Sequence, residues 1–430
     1  MQLALLFGAL VTFLLLGIPV AFSMGLSALL FILIFGDNLT IAIIAQSITT
    51  GVNNHPLLAI PLFFLAGELM NRGGVTERIV DCFMAIAGHI RGGLGHVVVG
   101  TNMALAGISG SAVADAAMSG PILIKSMVNA GYGRAYSAAL VGAAAIIGPI
   151  IPPSIPMILY GALADVSVAR LFLSGAIPGV MIGVYLMICN HFICVRRGYG
   201  GIQGPRASVR ERVRVVIGAL PALAAPVIVL AGIIGGVVTA TEAGLLAVAY
   251  AALLGIAYRK LNARILWEIL GSVASDSAVI LLIVGAGASF GWILANLGVG
   301  PAVVETLLGI SKDKYVILAL VNVLLLILGC LMDPIAILVL FTPVLVPVMK
   351  AIGVDLVQFG LIMTLNLMIG LMTPPVGYLL FISAAISGAT VRQIVRESLP
   401  FMAALLLCLL IVTYIPWIVL FLPDMIMGTK

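Results

Sequence analysis

Two aspartates sit in stretches otherwise empty of charge. Asp115 closes the run Gly107-Ile108-Ser109-Gly110-Ser111-Ala112-Val113-Ala114-Asp115, and Asp333 lies in Gly329-Cys330-Leu331-Met332-Asp333-Pro334. An ionised carboxylate in apolar surroundings needs a cation or hydrogen-bond donors beside it. Three kinds of chemistry are open. The aspartates could ligate a hard cation with help from the Ser109 and Ser111 hydroxyls. They could cap helix ends. They could share a proton as an aspartyl hydrolase dyad. The dyad reading is the weakest, because the two residues occupy different points of their motifs and no Gly-x-Gly-Asp occurs. Of the two, Asp333 is favoured as an ion ligand because it precedes Pro334 with no hydroxyl close by. Asp115 could serve only to support its Ser-Gly-Ser turn.

The elements around these residues are set by composition. The 430 residues are 63% hydrophobic and only 9% charged. A soluble chain carries about 25% charge, so this one cannot coat a water-facing surface of its size. That excludes a soluble enzyme, a disordered chain and a collagenous one, and a membrane barrel would alternate apolar and polar residues. A polytopic all-α membrane protein remains. The net charge of +5 sits in short loops, where it sets topology and does not point to nucleic acid. Cys82, Cys189, Cys194, Cys330 and Cys408 show no CxxC spacing and read as small apolar residues. The histidines are scattered, Gly285, Gly287 and Gly291 read as helix-packing glycines, and Glu68 and Glu242 read as local partners. Neither a signal peptide nor a phosphate-binding loop is evident.

Spans of about 20 apolar residues are expected. They fall near 3–16, 20–36, 56–71, 135–165, 171–195, 213–237, 239–258, 265–298, 356–386 and 398–422, with Gly17-Ile18-Pro19 kinking or dividing the first pair. Segments 92–124 and 314–349 are too long and too broken for one helix each, and read as re-entrant hairpins. With both entering and leaving on one side, 16 of the 21 basic residues become cytoplasmic and both termini external. The expected organisation is a first repeat over 1–195, a basic cytoplasmic linker over 196–212, and a second repeat over 213–430.

The halves match under a shift of 222 residues, without a gap from 107 to 178. Gly107 meets Gly329, Pro121 meets Pro343, Gly131 meets Gly353, and Gly148 meets Gly370. Pro152-Pro153 meets Pro374-Pro375, Arg170 meets Arg392, and Pro178 meets Pro400. The topology places Arg170 outside and Arg392 inside, so the repeats are inverted. Inverted repeats with broken helices are the build of secondary transporters. The second interruption in each half, Gly148-Pro149-Ile150-Ile151-Pro152-Pro153-Ser154 and Gly370-Leu371-Met372-Thr373-Pro374-Pro375, frees backbone carbonyls through its tandem prolines. Carbonyl and hydroxyl oxygens suit Na⁺, and half-helix N-termini face anions.

These motifs together resemble the large membrane subunit of tripartite ATP-independent periplasmic (TRAP) transporters, the DctM-like family. The resemblance covers nearly the whole chain. It is carried by Gly17-Ile18-Pro19-Val20-Ala21-Phe22, the run from Pro56 to Gly67, the Gly107–Asp115 tip, and Ile151-Pro152-Pro153-Ser154. In the second half its carriers are Met332-Asp333-Pro334 and Thr373-Pro374-Pro375-Val376-Gly377. The resemblance implies an inner-membrane, non-enzymatic, Na⁺-driven importer of elevator type. It implies a small four-helix membrane subunit, a periplasmic substrate-binding protein, and a small organic anion such as a C4-dicarboxylate or sialic acid. Since the chain opens on its first span, the small subunit is expected as a separate chain. Carried over by motif, Ser109, Ser111, Gly148 and Pro152 would form one Na⁺ site, and Gly329, Asp333, Thr373 and Gly377 the other. Gly110, Ser154 and Pro374 would touch the anion between the tips. The rival reading is a stand-alone anion transporter or exchanger needing no binding protein.

Overall fold

The computed structural model describes residues 1–36, 41–200 and 208–428. Every regular element among them is helical. The first pair is two helices, α1 (Gln2–Leu15) and α2 (Val20–Phe35), parted at Gly17 with φ +80°. A short arm α3 (Ala42–Val52), a 3-10 turn His55–Leu58, α4 (Ala59–Arg72) and α5 (Val75–Ala87) follow. Segment 92–124 is a hairpin, α6 (Gly93–Ser109) and α7 (Ala112–Asn129), turning at Gly110. Span 135–165 is two half-helices, α8 (Arg134–Ala145) and α9 (Ile155–Ala164), and α10 (Val168–Arg197) closes the first half.

The second half begins with α11 (Val209–Ile234), α12 (Ala240–Ala257), the 34-residue α13 (Ala263–Asn296) and an arm α14 (Val299–Ile310). It then repeats the pattern: hairpin α15 (Lys314–Leu331) and α16 (Pro334–Ala351), half-helices α17 (Leu356–Gly370) and α18 (Tyr378–Ser387), and α19 (Val391–Tyr414). The 222-residue shift carries Gly110 onto the second tip at Met332 and Arg134 onto Leu356, the first residue of α17. A last helix, α20 (Pro416–Met427), starts at a proline that divides the expected span 398–422. Arg196 and Arg197 belong to α10 and residues 209–212 to α11. Of the expected linker over 196–212, residues 201–207 lie outside the described residues.

The helices pack as two groups. A frame holds α1 to α5 and α11 to α14, with α12 against α4, α13 against α2 and α3, and α11 against α5. A core holds both hairpins, both pairs of half-helices, α10, α19 and α20. The half-helices of the core are buried almost throughout, α8 over Tyr136–Ala145 and α17 over Val357–Gly370. They are the middle of the molecule and hold the hairpin tips against them.

Ion pairs show which helix ends share a face. Arg72 at the end of α4 meets Glu268 at the start of α13 at 3.1 Å. Lys260 meets Glu77 of α5 at 3.3 Å, and Arg197 at the end of α10 meets Glu397 near the start of α19 at 2.7 Å. These ends form the basic face that the positive-inside rule assigns to the cytoplasm. At the opposite face Arg170, buried at the start of α10, pairs with Asp424 of α20 and donates to the Gly428 carbonyl at 2.6 Å. Arg170 and Arg392 therefore start equivalent helices, α10 and α19, from opposite faces, so the repeats are inverted.

Candidate functional site

The first tip turns on Gly110, whose φ of +61° suits glycine and whose missing side chain leaves room. A Cβ there would come within 2.7 Å of the Pro153 carbonyl in the break facing it. Ser109 Oγ donates to Asp115 Oδ1 at 2.5 Å and accepts from the Ser111 amide at 3.2 Å. Ser111 Oγ caps α7 by accepting from the Ala114 amide at 3.4 Å. Asp115 is fully buried, and its Oδ2 has no hydrogen-bond partner. A side chain on Gly148 would collide with that oxygen, so Oδ2 is aimed at the break where α8 ends. A buried carboxylate oxygen left unpaired is costly, and such an oxygen is an open ligand position. Ser109, Asp115 and Gly148 thus come together, and Pro152 lies close behind, its carbonyl 3.8 Å from where a Gly107 Cβ would stand.

The second tip is built differently. A Cβ on Gly329 would lie 3.3 Å from Gly370 Cα, so hairpin and half-helix touch through glycine. The Val376 amide donates to the Cys330 carbonyl at 3.3 Å, tying break to tip. Thr373 Oγ1 donates to the Ile369 carbonyl at 2.8 Å, and Gly377, with φ +58°, starts α18. Asp333 caps α16, its Oδ1 accepting from the Ile335 amide at 2.9 Å and the Ala336 amide at 3.4 Å. It faces the space between the tips. In geometry the two aspartates change places against the sequence expectation. Asp115 is the buried carboxylate with an open oxygen, and Asp333 is the helix cap. The cause is the 222-residue offset, under which Asp333 stands where Ser111 caps the other hairpin.

Two connected spaces lie between the tips. The smaller, of about 100 Å³, is lined by Gly110, Ser111, Pro149, Asp333 and Met368 among others. The larger, of about 620 Å³, runs between tips and frame past Gly67, Glu68, Met118, Asp276, Asp333 and Tyr378. Glu68, Met118 and Tyr378 lie on the inner side of the tips, so this cavity opens toward the basic face. Ser154 and Pro374 line neither space. Ser154 is buried, donates to the Pro149 carbonyl at 2.5 Å and caps α9, so its hydroxyl holds the break in shape. Pro374 is exposed in its turn.

A model of the family described as the tripartite ATP-independent periplasmic transporter, DctM component, matches residues 7–418. The chain belongs to the DctM family. The sialic acid TRAP transporter large permease protein SiaM of Vibrio cholerae serotype O1 is 40% identical over 413 residues, covering 96% of each chain. The C4-dicarboxylate TRAP transporter large permease protein DctM of Pseudomonas aeruginosa is 35% identical over 403 residues, 94% of each. Among solved structures, the Alcanivorax borkumensis YdaH transporter superposes with a TM-score of 0.65 at 14% identity over 87% of each chain. That likeness supports the fold alone. This DctM-family chain is a TRAP transporter large permease, a multi-pass protein of the bacterial inner membrane and not an enzyme.

Sequence reasoning passed over Asp276. It lies 13 residues into α13, exposed to the larger cavity, and has no ion-pair partner among the described residues. The signal was present, since after the paired Glu268 in its second turn α13 carries no other charge than Asp276, and a carboxylate that deep in an apolar helix is a functional hypothesis by default. Glu68, read as a local partner, does meet Arg72 at 3.7 Å but also lines the cavity. Glu242 completes a capping box with Thr239 at the start of α12. Gly285 and Gly287 receive Ile48 and Val339, as packing glycines do. No group of three or more His, Cys, Asp or Glu suited to a metal occurs among the described residues.

Proposed function

We propose that this permease couples inward Na⁺ flow to import of a small organic anion, C4-dicarboxylate or sialic-acid-like. The anion would arrive from a periplasmic binding protein, and a small four-helix subunit would accompany the frame. The carrying observation is Asp115 Oδ2, buried and unpartnered, aimed at the Gly148 break with Ser109 beside it. The donors there are oxygens only, which suits a hard alkali cation and not a transition metal. The second ion would rest among Gly329, Thr373 and Gly377, where the tip and break backbones meet. The anion would occupy the space between tips that Gly110 and Asp333 line. A bound cation supplies the positive charge that this lining lacks. The core would carry ions and anion past the frame as an elevator, and the cavity open toward the basic face matches its inward stage. The relatives named for sialic acid and C4-dicarboxylate support the substrate class.

The test is uptake into proteoliposomes holding this chain and its small subunit, with loaded binding protein outside. Uptake should need an inward Na⁺ gradient and no ATP. Equal uptake with K⁺ or choline in place of Na⁺ ends the coupling proposal. Equal uptake without a binding protein favours the stand-alone transporter.

A further inference from the structure

A third space lies away from the tips. It has a volume of about 520 Å³ and is walled by α1, α14, α15 and α16. Its walls are apolar side chains throughout: Phe7, Val303, Leu307, Leu324 and Phe341 represent the four helices. Such a space offers water no partners and does not fill with it. Its depth is informative. Leu320 and Leu324 lie 6 and 10 residues from Lys314, where α15 enters from the outer face. At 1.5 Å per residue the slot reaches about 15 Å below that surface. Half of a hydrocarbon core of about 30 Å is the length of one leaflet.

The mouth carries a second signal. Ile310 lines the slot, and the chain leaves it through Ser311-Lys312-Asp313-Lys314. Lys350 ends α16 near the other end of α14, where a Cβ on Gly300 would lie 3.3 Å from Pro347. The described residues hold four basic side chains on this outer face, and Arg170 is taken by Asp424. The other three are these lysines, exposed and without an ion-pair partner among the described residues. The Asp313 carboxylate between two of them accepts from the Tyr315 amide at 2.8 Å. Lys314 Nζ stands 5.0 Å over the Tyr315 ring, and Tyr315 packs on Tyr414 at 5.9 Å, an aromatic pair of the kind found at headgroup level.

From depth, lining and charge together, we infer that this slot binds an anionic phospholipid of the outer leaflet. One acyl chain lies between α14 and hairpin α15/α16, and the phosphate rests at Lys312 and Lys314. The frame supplies α1 and α14 and the core supplies the hairpin, so the lipid joins the two groups at the outer end. The inference does not depend on Na⁺ coupling or on the identity of the anion.

Native mass spectrometry of the purified full chain, alone and with its small subunit, gives the test. The protein is first exchanged into vesicles of phosphatidylglycerol or phosphatidylcholine with the same acyl chains. One phosphatidylglycerol should stay bound, in preference to phosphatidylcholine. Leu324→Trp fills the slot and should cut retention at least about tenfold, since several buried methylenes lose their place. Val323→Trp, on an exposed face outside the slot, should retain lipid as the parent does and controls for folding. Lys312→Gln with Lys314→Gln should equalise the two lipids. No retained lipid, or full retention in Leu324→Trp, overturns the site. An unchanged preference in the lysine variant overturns the headgroup assignment. Loss of the lipid when the small subunit is present overturns it in favour of a protein contact.

Discussion

At the scale of residues, what separates the two aspartates is the partner each oxygen has. Asp115 spends one oxygen on Ser109 and keeps one free, whereas Asp333 spends one on two amides of its own helix. Asn at 333 can keep both cap bonds, because its carbonyl oxygen accepts as a carboxylate does. Asn at 115 removes the charge that would balance a buried cation, at a cost of several kcal/mol by order of magnitude. On the proposed coupling, Asp115→Asn should raise the Na⁺ concentration for half-maximal uptake at least tenfold, a shift of about 1.4 kcal/mol. Asp333→Asn should change the half-saturating anion concentration more than the Na⁺ requirement. Na⁺ titrations of uptake by both variants decide this, and the reverse ranking would restore the order favoured from sequence. Asp276 belongs here too. The frame would bring it to the tips only in the inward stage, so its charge should weaken anion binding from inside. Asp276→Asn should tighten inside affinity about threefold to tenfold, a Coulomb effect across a wet cavity, and leave outside affinity unchanged. Half-saturation measured separately for uptake and efflux would show it.

At the scale of elements, sequence legibility followed length and proline. The hairpins were readable at 92–124 and 314–349 because each is an apolar run too long for one helix and has glycine or proline at its centre. Both broken helices were readable from their tandem prolines. The arms α3 and α14 and helix α5 were not. They have 11, 12 and 13 residues, too short for the run of about 20 that marks a spanning helix. The start of α20 at Pro416 was hidden by unbroken hydropathy on either side. The roles of the capping side chains were legible only as types. Ser111 and Ser154 each accept from an amide three residues on, which a sequence cannot distinguish from a hydroxyl aimed at a ligand. The orientation of the hairpins has a direct check. A cysteine replacing exposed Arg196 should resist a membrane-impermeant thiol reagent added to intact cells. One replacing Lys312 should react, in a background without other accessible cysteines. The opposite pattern would turn both hairpins over.

At the scale of the molecule, frame and core differ in what joins them. All six ion pairs among the described residues close within one group. Arg72, Glu68, Glu268, Arg264, Lys260 and Glu77 are frame to frame, while Arg170 with Asp424 and Arg197 with Glu397 are core to core. Contact between the groups is made mostly by apolar and small residues, as where Gly287 of α13 receives Val339 of α16, and Asn54 Nδ2 donates across it to the Ala162 carbonyl at 3.4 Å. An elevator stroke would therefore break none of these charge pairs. On the proposed stroke the interface would act as a slip plane, with its resistance set by side-chain shape and temperature and not by ionic strength. At fixed Na⁺ gradient, raising choline chloride equally on both sides from about 0.1 M to 1 M shortens the screening length from about 10 Å to 3 Å. The maximal uptake rate should hold through that change while its temperature dependence stays steep, whereas a stroke gated by charge pairs would quicken as the salt rises.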